Sequence, residues 1–185
     1  MKKVVSIIAV LAFATAAQAA ITSSVSSIPT PGLATHVTYT VNLTTDSGVI
    51  TGGGFALTAA GSDLNHLFVG ASVFNNMNAF MPPNGPLQDT QVMFHDPNDI
   101  LASVKTESLG HLTADFAFIG GIGSPLALPS QDMLQVVLPA GSSATLDGML
   151  LVDGAETTFA TIDIPEPASL ALLGMGGLAL LRRKR

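Results

Sequence analysis

Cysteine is absent from the sequence, which removes disulfides, thiol nucleophiles and cysteine-ligated metals from consideration. Without such staples a folded middle must hold together by burial. The roughly 140 residues between the termini suffice, since a domain near that size buries about two-thirds of its unfolded surface. Tryptophan is also absent and Tyr39 is the sole tyrosine, so the aromatic platforms on which sugars stack are largely missing. Positive charge is scarce where it would matter. Residues 20–163 contain twelve acidic residues and one basic residue, Lys105, a net charge of −11. Such a surface has no basic patch to replace phosphate counterions, and it repels anionic lipid. Nucleic acid is excluded as a partner.

The other basic residues sit at the two ends. Lys2 and Lys3 precede the apolar stretch Val4–Ala14, and Ala17-Gln18-Ala19 follows it. This is the plan of a secretory signal peptide over residues 1–19, with Ala17 and Ala19 as the small residues a signal peptidase accommodates and cleavage before Ala20. The alternative, an uncleaved anchor, meets a stretch shorter than the roughly 20 apolar residues of a spanning helix.

The C-terminus carries the more specific pattern. Pro165-Glu166-Pro167 is followed by the uncharged residues 168–181 and then by Arg182-Arg183-Lys184-Arg185. The prolines disfavour helix before them and set a sharp boundary. As a helix, residues 168–181 would span about 21 Å at roughly 1.5 Å per residue. That is short for a hydrocarbon core of about 30 Å, a mismatch that snorkelling basic side chains and local thinning can absorb. The positive-inside tendency keeps Lys2-Lys3 and the final basic run on the cytoplasmic side, so the middle hangs outside.

This tail, over about a ninth of the chain, closely resembles the PEP-CTERM sorting signal of Gram-negative bacteria. The matching residues are Pro165, Glu166 and Pro167, the glycine-containing apolar stretch, and Arg182, Arg183, Lys184 and Arg185. The resemblance implies recognition by an exosortase, an integral-membrane cysteine protease, with cleavage near the Pro-Glu-Pro and transfer to the cell surface or into extracellular polysaccharide. Signal peptidase and this membrane-embedded sorting protease are then transient partners. The membrane is a third, held through the C-terminal helix before processing. The same tail has been labelled after ice-binding proteins, but a regular ice-binding face usually needs a repeated Thr-x-Thr array, and Thr38-Tyr39-Thr40 is isolated.

The middle reads as strands punctuated by glycine and proline. His36–Thr44 alternates Val37, Tyr39, Val41 and Leu43 with polar residues, a half-buried strand. Asp46-Ser47-Gly48 turns the chain into a return strand at Val49-Ile50, completing a Thr-rich hairpin. Gly52-Gly53-Gly54 marks a bulge or a close backbone approach before Phe55–Leu57. Further strands are expected at 64–74, 91–94, 112–119, 133–138, 144–152 and 157–164. Residues 75–90 form a long loop without regular structure. Turn signals every 8–15 residues and no long helical period indicate an all-β fold. The expectation is a single β-sandwich of about eight antiparallel strands over 20–163, flanked by an N-terminal signal helix (1–19) and a C-terminal sorting segment (164–185) that contains a hydrophobic helix.

Motifs for chemistry are few. His36, His66, His95 and His111 include no pair at the spacing of a zinc helix, and no Gly-x-Ser-x-Gly elbow occurs. His111 and Asp115 fall on one strand, where an i, i+4 spacing builds no compact site. Asp96, Asn98 and Asp99 offer hard oxygen ligands suited to Ca²⁺, although Asp-Pro-Asn-Asp is also an ordinary turn. No cofactor is expected. The sequence points to an exported, non-catalytic structural or interaction domain. The alternatives are a polysaccharide- or protein-binding module, with or without Ca²⁺, and, more remotely, an exported hydrolase.

Overall fold

The computed structural model describes residues 19–66, 85–93 and 100–166. Nine strands lie there: β1 (Ile21–Pro29), β2 (His36–Thr45), β3 (Ile50–Ala60), β4 (Gln91–Val92), β5 (Ile100–Ser108), β6 (His111–Phe118), β7 (Ser130–Pro139), β8 (Ser143–Val152) and β9 (Ala155–Ile164). They form two antiparallel sheets, ordered β1-β2-β7-β4 and β5-β6-β3-β8-β9. One hydrophobic cluster draws on both. Tyr39, Val41 and Leu43 of β2 and Leu134, Val136 and Leu138 of β7 share it with Phe55 and Leu57 of β3, Leu112 and Phe116 of β6 and Leu146 and Leu150 of β8. The alternation read in β2 holds from Tyr39 onward: Tyr39, Val41 and Leu43 are buried, while Thr40, Asn42 and Thr44 on the other face are partly exposed; before it, Val37 is half-buried and Thr38 is buried.

Two strands escaped the sequence reading. β1 is an edge strand on which only Ile21 and Val25 are half-buried, four residues apart, so no period of two is written into it. β5 pairs with β6 through a register shift between Val104 and Thr106, which places an irregularity at Lys105 and breaks its alternation. The expected first hairpin is also corrected. β2 and β3 are not paired; Asp46-Ser47-Gly48 carries the chain from one sheet to the other, where β3 lies between β6 and β8. The turn is built for that crossing. Gly48 has φ +74°, and a Cβ there would strike the Asp153 carboxylate, which accepts the Val49 N–H at 3.0 Å.

The register shift opposite β8 falls just before the triple glycine, between Ile50 and Gly52, while Gly52–Gly54 themselves stay in register. Close approach is present: a Cβ on Gly148 of β8 would collide with the Gly54 carbonyl oxygen. Residues 75–90 are not wholly irregular, because Gly85–Gln88 forms one helical turn, α1. The segment that follows α1 covers the outer face of β7. Asp89 and Thr90 are fully buried there, Gln135 donates to the Asp89 carbonyl at 2.7 Å, and the Thr90 hydroxyl accepts the Val137 N–H at 3.0 Å. Thr38 of β2 donates to the Leu87 carbonyl at 2.7 Å. Of the strand expected at 64–74, Leu64–His66 are irregular; the rest of it lies outside the described residues, as do the two flanking helices.

Candidate functional site

The strands build two separate features. The first is where the C-terminal tail leaves the fold. Ile164, the last residue of β9, pairs with Ala144 and is fully buried. One residue later the Pro165 carbonyl accepts a hydrogen bond from the Tyr39 hydroxyl at 2.8 Å. Tyr39 is 1% exposed on β2, so its ring sits in the core while its hydroxyl reaches across to the end of the opposite sheet. Burial raises its phenol pKa above the usual value of 10.0, and the carboxylate of Glu166 pushes in the same direction. No linker separates domain from tail. The first proline of the Pro-Glu-Pro is fastened to the fold, and Glu166 is the last described residue.

The second feature is an open trough of about 980 Å³ on the five-stranded sheet. Gly54 and Gly148, which lack side chains, lie low between Asp115 and Thr113 of β6 and Asp147, Met149 and Thr158 of β8 and β9. The register explains the hollow: Asp115 stands opposite Gly54, Gly54 opposite Met149, and Met149 opposite Thr158. The Asp147 carboxylate accepts a hydrogen bond from Thr161. The trough therefore combines an apolar bed with two carboxylates and hydroxyl groups. No sequence motif announced it, because its residues come from four strands.

The residues singled out by sequence are scattered. His36 begins β2 and contacts the Thr35 hydroxyl at 3.0 Å; His111 begins β6 in the other sheet and contacts Thr58 at 3.0 Å. Asp115 is four residues from His111 on the same extended strand, about 13 Å along it at roughly 3.3 Å per residue. Among the described residues, no group of three His, Asp or Glu side chains is placed to hold a metal ion. The Ca²⁺ candidates Asp96, Asn98 and Asp99 lie outside the described residues, as do His95, Ala17, Pro167 and the basic run Arg182–Arg185. Among the described residues no helix is long and apolar enough to cross a membrane. At the other end, Ala19 packs against the core, and Ala20 is tied to Asp46 by two hydrogen bonds: its N–H donates to the carboxylate at 2.9 Å, and its carbonyl accepts the Asp46 N–H at 3.1 Å.

A search of curated proteins finds no match to the chain. Residues 163–185 match the family described as the PEP-CTERM protein-sorting motif. The match begins inside β9, at Asp163 and Ile164, and runs through the Tyr39-anchored Pro165 to the terminal basic cluster. The chain thus ends in a PEP-CTERM protein-sorting motif, the C-terminal signal of an exported protein sorted by an exosortase.

Proposed function

We propose that this protein is placed on the surface, or in the extracellular matrix, of a Gram-negative bacterium, and that its β-rich middle is a β-sandwich acting through contact and not through catalysis. The observation that carries the reading is the fusion of a sorting motif to the last strand of a two-sheet fold. What the signal delivers is that fold, with the residue before Pro165 buried in it. An acidic domain suits an exterior location, where net charge keeps it soluble and away from anionic lipid.

Intact mass of the protein from cells with and without the sorting protease tests the delivery. The expected mature ends lie near Ala20 and near Pro165, with the longer C-terminus accumulating when the protease is missing. An unclipped tail in both strains would end this reading.

The trough favours a second reading, a binding module for polysaccharide or for another surface protein. Asp115, whose carboxylate lies over Gly54, and Asp147, Thr113 and Thr158 supply polar contacts to a chain lying across the strands. A glycan array run with and without chelator distinguishes the two. Binding lost on Asp147→Ala supports the module, and binding lost with chelator adds Ca²⁺ to it. No binding in either condition leaves the structural role.

A further inference from the structure

The contact between Ala20 and Asp46 has a chemical sequel at the signal-peptide junction. In the uncut chain the Ala20 nitrogen is an amide, donating one hydrogen bond of 2.9 Å to an Asp46 carboxylate oxygen. Hydrolysis of the Ala19–Ala20 bond adds water across it. The hydroxyl stays on the Ala19 carbonyl, which leaves as a carboxylate, and Ala20 keeps its nitrogen as an ammonium carrying the added protons. We infer that Asp46 is a receptor for this new amino terminus, and that signal-peptide removal replaces an amide–carboxylate hydrogen bond with an ammonium–carboxylate ion pair fixing β1 to the end of β2. The inference rests on the reading that cleavage falls before Ala20.

Several observations converge on this pair. The Asp46 carboxylate oxygen that meets Ala20 also accepts from the Ser47 hydroxyl at 3.2 Å, so it is held in place before cleavage. The Asp46 N–H donates back to the Ala20 carbonyl at 3.1 Å, which sets the nitrogen in register with the carboxylate. Ile21 pairs with Thr45 in the next rung. A cut one residue to either side would move the ammonium by about 3.8 Å, the spacing of successive Cα atoms, and take it out of contact. The charge count gives the pair further weight. Residues 20–163 hold Lys105 as their one basic side chain against twelve acidic ones, so the amino terminus is the second cation available to them. The amide hydrogen bond to the carboxylate is already charge-assisted, and an ammonium donor adds the attraction between two full opposite charges. An opposite charge at this range also favours the protonated amine.

There is an opposing effect. Ala19 packs against the core in the uncut chain, and cleavage removes that contact. Start position therefore separates the two effects.

The test uses protein exported with its own signal peptide and isolated from cells, in wild-type and Asp46→Asn forms. N-terminal sequencing reads the start, and the α-amino pKa is followed by NMR after isotopic methylation of the terminus. The expected result is a start at Ala20 and an α-amino pKa at least about half a unit higher in the wild type than in Asp46→Asn, against an ordinary value near 7.7–8.0. A second comparison adds Ala19 back to the start, which should bring the pKa down to that of the variant. Equal pKa values in wild type and Asp46→Asn with a start at Ala20 overturn the inference while leaving the cleavage reading intact. A start elsewhere overturns both. Should Asp46→Asn fail to fold, the Ala19-extended wild type alone decides, because a pKa unchanged by the extension also overturns the receptor role.

Discussion

Replacing Tyr39 by phenylalanine tests the fastening of the sorting tail with little change in core volume. The ring, 1% exposed, keeps its packing, and the hydrogen bond to the Pro165 carbonyl is lost. A bond of this kind contributes about 1 kcal/mol net. For a protein of this size that corresponds to a fall in Tm of roughly 3 °C. The alkaline side gives a second and more specific readout. Burial and the Glu166 carboxylate hold the folded phenol neutral above its ordinary range. As pH rises past about 10, the unfolded chain therefore loses the tyrosine proton first. It then binds fewer protons than the folded chain, so stability falls with rising pH, by up to about 1.4 kcal/mol per unit until the folded phenol also ionises. The phenylalanine variant lacks this component, and its unfolding midpoint should drop less steeply above pH 10. Because Tyr39 is the sole tyrosine and tryptophan is absent, phenolate absorbance reports this one group directly. A native-state titration midpoint equal to that of the unfolded chain would refute the reasoning, as would identical alkaline profiles for wild type and variant.

Other perturbations have expected outcomes of their own. Gly148→Ala puts a methyl group against the Gly54 carbonyl at the β3–β8 crossing and should cost about 1–3 kcal/mol, read as a lower urea midpoint with little change in slope. Leu57→Ala, at a fully buried position of β3, should cost about 2–5 kcal/mol in the same assay. Thr90→Val strands the Val137 N–H beneath the segment after α1. It should cost about 1–3 kcal/mol and raise amide exchange in β7 above that in β6, whereas uniform exchange would place the segment's contribution elsewhere.

What could be read from the amino acids alone was whatever is encoded locally. The period of two in His36–Thr44 marks a face because adjacent side chains on any strand point opposite ways. Asp46-Ser47-Gly48 and Gly52–Gly54 signal turns and close contacts through backbone freedom that needs no partner. The Pro-Glu-Pro, apolar and basic order of the tail is likewise a linear pattern, which a linear reader in the membrane can use. The tertiary structure decided what depends on partners distant in sequence. Period two says that β2 has a buried face but not that β7, some ninety residues later, completes its ladder while β3 departs to the other sheet. β1 and β5 show the converse: an edge strand with two half-buried residues and a strand broken at Lys105 lack the periodic signal, because pairing and not alternation holds them. The same physics hides Tyr39 as an anchor, Asp46 beside Ala20 and the hollow over Gly54 and Gly148. Each is a meeting of residues that only the closed sheets bring within hydrogen-bond or van der Waals reach.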